Sequence, residues 1–143
     1  MISNEKTALA LIDKLKAWNS LNGDYDIAYQ SDKKYEPTPS VAYIKESFLA
    51  NDNEYLGLGY NSCVKQLPIY QLDVMTPKGQ GGKWDGLSIV DKLVVEFKRA
   101  PIFFNDGEQS VQIESVSGSN RQANDTHNWT MISINLIVLA KST

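Results

Sequence analysis

Only one cysteine, Cys63, occurs in the 143 residues, so no disulfide can close within the chain and no all-cysteine metal site can form. A lone thiol fits a reducing compartment, and its expected place is that of a small apolar side chain within a strand. His127 is the sole histidine, which excludes a histidine-built metal cluster and leaves Cys63 without an evident base for nucleophilic work. A surface-loop histidine beside Trp129 is the plain reading of that residue. Lys and Arg number 14 against 17 Asp and Glu, a formal charge of −3. A nucleic-acid backbone is held by clustered cations, so direct nucleic-acid binding is not expected. No apolar run is long enough to span a bilayer, and acidic residues interrupt the N-terminal MISNEKTALALIDKL, so a soluble, non-exported protein is expected. Repeats, useful heptads and low-complexity tracts are also missing. At this length a single domain, residues 1–143, can bury a core without staples.

What is present centres on Tyr70 to Phe97, where the apolar period changes from two to about three and a half across a Gly-rich hinge. Before the hinge, Tyr70, Leu72 and Val74 alternate with Gln71, Asp73 and Met75, as a strand with one apolar face does. After it, Leu87, Val90, Leu93, Val94 and Phe97 form one helical stripe, with Asp91, Lys92 and Glu96 on the polar side. Pro77, Gly79, Gly81 and Gly82 are expected in the loop between, outside both ladder and helix.

An earlier helix is predicted from a cap at Ser3 or Asn4 to about Asn19, on the spacing of Ala8, Leu11, Ile12, Leu15 and Trp18, with Asn22-Gly23-Asp24 ending it. Tyr25, Ile27 and Tyr29 alternate as a short strand, and the Pro-containing stretch Ser31 to Ser40 reads as a loop. Val41 to Leu49 alternates as a half-buried strand, and the next strand is expected from about Cys63 to Met75. After the second helix, Ile102 to Phe104 suits a short edge strand and Asn105-Asp106-Gly107 a turn. A long hairpin closes the chain, its arms marked by Val111, Ile113 and Val116 and by Met131 to Leu139. The polar connector SGSNRQANDTHN between those arms is expected to be a mobile loop. Fold class follows: α+β, two layers, a mostly antiparallel or mixed sheet with two helices packed on one face.

The order of these elements, read with particular residues, resembles the tail-terminator family of long-tailed bacteriophages, which join tail to head, and its uncharacterised phage relatives. The residues that carry the resemblance are Pro37-Thr38-Pro39 leading into Val41-Ala42-Tyr43-Ile44, LGLGY at Leu56 to Tyr60, YQLDVMTPKGQG at Tyr70 to Gly81, and Asn128-Trp129 opening the last strand. Together they span about Ile12 to Leu139. The resemblance implies a non-enzymatic virion component of the tail or neck, assembled in the host cytoplasm. It implies a closed homo-oligomeric ring, a hexamer, that stops tail-tube polymerisation and offers the docking surface for the head connector. Its implied partners are further copies of itself, the tail-tube protein and the head-connector protein, with no cofactor or metal. Another neck or minor capsid component of the same fold is the alternative.

Two candidate surfaces follow. Tyr55, Leu56, Leu58 and Tyr60 lie in NDNEYLGLGYNS, a stretch longer than a tight hairpin needs, and such apolar residues either fold back on their own core or cover a neighbour's. A cyclic ring uses head-to-tail contacts between two different surfaces, so these four are the subunit-interface candidates. Lys78, Lys83 and Trp84, in or beside the Gly-rich hinge, are the partner-contact candidates, because a large aromatic beside glycines can anchor an interface.

Catalysis has weaker support. Asp73 followed by Glu96-Phe97-Lys98 has the form of a metal-dependent nuclease signature, in which carboxylates hold a divalent cation and a lysine sits beside the attacked phosphate. That site needs Glu96 and Lys98 on one face of a strand, whereas a helix would separate them by roughly 200° at about 100° per residue. A solvated helix end, with Lys98 and Arg99 complementing the dipole, is the preferred reading. PKGQGGK at Pro77 to Lys83 lacks both the Gly-Lys-Ser/Thr of a phosphate-binding loop and the G-x-G-x-x-G spacing, so a crossover loop is expected there. Ser115, Ser117 and Ser119 lack the G-x-S-x-G elbow of a hydrolase.

Overall fold

The computed structural model describes residues 2–30, 36, 41–55, 63–78, 82–99, 102–123 and 127–141. Among these residues two helices and eight strands follow one another as α1 (Asn4–Asn22), β1 (Asp26–Ala28), β2 (Tyr43–Leu49), β3 (Glu54–Tyr55), β4 (Cys63–Gln66), β5 (Ile69–Pro77), α2 (Gly82–Arg99), β6 (Ile102–Asn105), β7 (Gln109–Ala123) and β8 (His127–Lys141). This is an α+β fold, as the periodicities predict. All strands belong to one sheet, mixed because β1 runs parallel to β2 while every other pair is antiparallel.

Helix α1 starts at the predicted cap: the Ser3 hydroxyl accepts the Lys6 N–H at 3.2 Å, satisfying one of the open amides of the first turn. It runs one turn beyond the expected Asn19, to Asn22, and stops at Gly23, whose φ of 141° is a conformation that side chains disfavour. The Asn19 side chain explains how the chain then turns away, donating to the Tyr25 carbonyl and accepting the Tyr25 N–H at 2.7 and 2.8 Å. That bracket leads directly into β1, the short strand expected around Ile27.

Strand β8 is the axis of the sheet. One flank pairs with β5 through its first half and with β4 through its second; the other pairs with β7 along nearly its whole length. Strands β2 and then β1 continue beyond β5, β3 beyond β4, and β6 beyond the start of β7. The single strand expected from Cys63 to Met75 is thus two, β4 and β5, interrupted at Leu67-Pro68 and extending to Pro77. Pro68 has no N–H to give the ladder, but its carbonyl accepts the Leu136 N–H at 3.0 Å, so both pieces stay on the same flank of β8. Pro77, expected in the loop, takes the last ladder position of β5 opposite His127, where a missing donor costs little. Gly82, likewise expected in the loop, opens α2.

The connector 117–128 is corrected too. Residues up to Ala123 are ladder strand, paired through Asn128 with β8. Main-chain pairing to a long partner keeps this polar stretch extended, and side-chain alternation could not reveal that. Two register shifts interrupt β7, between Ile113 and Ser115 and between Gly118 and Asn120. Each inserts an extra residue that sharpens the local twist.

Both helices lie on one face of the sheet. The core combines Leu11, Leu15 and Trp18 of α1 and Ile89, Val90, Leu93 and Phe97 of α2 with Ile44, Tyr70, Leu72, Val74, Ile132, Ile134, Leu136 and Val138 of the strands. Burying each such aliphatic or aromatic side chain contributes about 1.5–3 kcal/mol relative to exposure. Tyr70 and Phe97 meet with ring centroids 6.4 Å apart, which ties α2 to β5. Near the start of α2, a Cβ on Gly86 would lie 3.1 Å from the Thr130 hydroxyl and 3.3 Å from that of Thr76, so the missing side chain lets the helix settle onto β5 and β8.

Candidate assembly interface

Strand alternation decides which side chains can act together. On β5, Tyr70, Leu72 and Val74 point into the helix-covered core, so Asp73 points to the opposite face, where it accepts the Gln71 amide at 3.0 Å. Glu96 lies on α2, on the covered side, 3.7 Å from Lys14 of α1. Residues 82–99 are helical throughout, so Glu96 and Lys98 diverge around the axis, and Lys98 is exposed. The sheet separates Asp73 from Glu96, and these residues cannot hold one cation between them. Among the described residues no group of three or more His, Cys, Asp or Glu is placed to bind a metal.

One buried charged group, Glu46, escaped the sequence reading, and one titratable group, His127, was misplaced by it. Glu46 faces the core from β2, only 3% exposed, and accepts the Gln30 N–H at 2.7 Å. The Gln30 side chain in turn accepts the Phe48 N–H at 2.7 Å, closing part of the β2 edge beyond the three-residue β1. Burial, and then the Glu46 carboxylate, push the Tyr70 phenol far above the ordinary tyrosine range. On the open face, burial first and Asp73 second raise Tyr43. His127 is fully buried in β8, its Nε2 2.9 Å from the Val41 carbonyl and its ring set edge-on to Tyr43 at 5.2 Å, which corrects the surface-loop assignment. Cys63 is in a strand, as expected, but exposed.

Among the described residues, three kinds of surface could meet a partner. First, the face without helices carries a transverse row, Ser47, Gln71, Ser133 and Ser117, in register across β2, β5, β8 and β7, all uncharged hydrogen-bonding side chains. Second, a groove of about 450 Å³ between the end of α1 and α2 is lined by Trp18, Leu21, Asn22, Asp91, Lys92, Val95 and Glu96. Leu21 and Val95 stand 86% and 58% exposed at its rim. Third, strands β3 and β6 lie at outer edges of the sheet. Single exposed apolar residues are ordinary; apolar side chains flanking a groove mark a surface that suits a protein contact.

Of the interface candidates, Tyr55 is in the two-residue β3, opposite Val64 at the edge beyond β4. Leu56, Leu58 and Tyr60 lie outside the described residues. Lys78 is exposed just after β5, and Lys83 and Trp84 fall in the first turn of α2, their side chains outside the described set. Among the described residues no helix is long and apolar enough to cross a membrane.

Comparison with known proteins bears on this geometry. The family model described as phage tail terminator protein matches residues 6–136. One solved chain superposes with a TM-score of 0.70 over 96% of each chain at 16% sequence identity, a likeness that concerns the fold alone. No curated protein matches by sequence.

Proposed function

The chain belongs to the phage tail terminator family, and from that premise we propose that it ends tail-tube growth by closing, as a single domain, into a ring of six copies on the end of the tube. The family match over residues 6–136 carries the reading. A closed ring uses up its head-to-tail contacts within itself and leaves no tube-type interface on its far side, so polymerisation stops there. The exposed rim then serves as the docking surface for the head connector. No bond is made or broken; the mechanism is geometric.

What supports the ring is the distribution of surfaces. A heterologous contact needs two different, complementary patches on one molecule. The Tyr55 to Tyr60 segment begins at the sheet edge beyond β4, and the α1–α2 groove and the β7 side of the sheet lie elsewhere. Lys78 follows β5, Lys83 and Trp84 are in the first turn of α2, and the three are proposed to contact the tube or the connector, not the neighbouring copy. A virion component acting in this way requires no cofactor.

Light scattering with negative-stain imaging of the full chain, alone and with purified tail tubes, tests the proposal. Rings in solution or at tube ends, with tubes that then cease to elongate, are the expected result. A protein that stays monomeric and neither caps tubes nor slows their growth would refute it, and binding to another neck layer would identify the alternative component of the same fold.

A further inference from the structure

Each broad face of this two-layer fold carries exposed apolar side chains beside a pair of opposite charges. On the helix layer, Leu21 and Val95 are exposed at the groove between the end of α1 and α2, next to the buried Trp18. Asp91 and Lys92 line the same groove, and Asp91 precedes Val95 by one helical turn.

The second surface is a corner of the helix-free sheet face. Leu49 and Ile69 stand in register on β2 and β5, with Asn135 beside them on β8. Phe48, Tyr70, Ile134 and Leu136 pack into the core, so alternation turns Leu49, Ile69 and Ile137 away from the helices. Leu67 lies beside Ile137, between Gln66, which pairs with Val138, and Pro68, whose carbonyl accepts the Leu136 N–H. Leu49 and Leu67 are 48% and 40% exposed, and Ile69 and Ile137 are half-buried. Charges border this aliphatic corner. Lys65 of β4 stands opposite Leu139 on one side and Glu54 of β3 on the other. Val64 lies in the core and the Gln66 amide donates to Asn4 of α1, so Lys65, between them, projects from the helix-free face, and Glu54 with it.

Exposed apolar residues are ordinary one at a time; here the two surfaces match. Among the described residues, the side chains of Glu54, Lys65, Asp91 and Lys92 have no ion pair or hydrogen bond. Each surface thus offers one acidic and one basic group side by side, and laying one on the other can set each charge against its opposite. The spacing agrees as well. On α2 the step from Asp91 to Val95 is about 6 Å, and on β8 the step from Leu139, beside Lys65, to Ile137 is about 7 Å. A purely apolar partner would cover the groove and strand both charges, which is costly, whereas the sheet corner of another copy supplies both counter-charges. A chain cannot place its own corner in its own groove, because the sheet and the helix layer lie between them.

We infer that the apolar corner around Leu67 and Ile137 of one copy docks into the α1–α2 groove of the next, with Lys65 against Asp91 and Glu54 against Lys92. Two different surfaces on opposite faces make a head-to-tail contact, the kind that closes rings. The inference rests on the ring reading and specifies which surfaces join neighbours.

Light scattering and negative-stain imaging of the full chain, with tail tubes present if rings need them, test it by charge reversal. Asp91→Lys and Lys65→Glu should each raise the concentration needed for rings at least about tenfold, and the two together should restore it to within about threefold of wild type. Independently of those charges, a Cys63→Ser chain carrying Val95→Cys and Ile137→Cys should form disulfides between copies on oxidation, since the sheet keeps the two positions apart within one chain. Rings that neither respond to reversal nor cross-link would overturn this contact and leave the ring reading standing. Reversals that leave rings intact but stop tubes from being capped would assign the groove to the tube protein, and would also overturn it. Absence of rings under every condition would remove both.

Discussion

At Asp106 one carboxylate ties the turn before β7 to the first turn of α1. It accepts the Lys6 ammonium at 2.7 Å and the backbone N–H groups of Glu108 and Gln109 at 3.0 and 2.8 Å. The Lys6 bond first, then those backbone donors, hold its pKa down from 3.8 to about 2, while Lys6 is raised. A carboxylate with a lowered folded-state value stabilises the fold fully above its ordinary pKa and loses that contribution as pH falls from about 4 through about 2. An NMR titration of Asp106 should therefore have its midpoint near 2, and Lys6→Ala should move it up toward the ordinary range. Asp106→Asn should lack this part of the acid limb in denaturation profiles. A wild-type midpoint near 4 would mean that the clasp does not form in solution. The Asn105-Asp106-Gly107 turn is readable from residue types, but its partner, a lysine 100 positions away, is not. His127 and Glu46 teach the same lesson: residue type suggested solvent for the histidine and drew no attention to the glutamate, while the sheet's register placed both in the interior.

Among the elements, the strand and the helix between Tyr70 and Phe97 were the most legible, because two different periods follow one another there; Gly79 and Gly81, expected in the loop between, lie outside the described residues. Less legible was how close α2 would come to the sheet. Gly86 determines this, with the Thr76 and Thr130 hydroxyls on the space that its side chain would fill. Gly86→Val should lower stability by about 1–3 kcal/mol, read as a reduced urea midpoint at unchanged slope. Adding Thr130→Ala should recover part of that loss. A neutral Gly86→Val would show that the helix end yields easily. β7 was the least legible element, since its polar second half resembles a loop by composition and becomes strand only because β8 lies beside it.

For the whole molecule, the question is how a fold with helices on one face assembles. Leu56→Asp with Leu58→Asp should leave the circular dichroism spectrum and the thermal transition of the monomer intact while light scattering falls to the mass of a single chain. A double variant that still runs as a ring would remove this segment from the interface. The local period of the chain determined, by itself, that there are two amphipathic helices and a set of half-buried strands, and therefore an α+β fold, since each apolar stripe must find another to cover it. Only the tertiary structure decided that β8 is the axis, that Asp73 and Glu96 are kept apart by the sheet, and that the polar second half of β7 is strand. Those outcomes depend on register and on pairing between residues far apart in the chain, and a pattern read within a dozen positions carries no information about either.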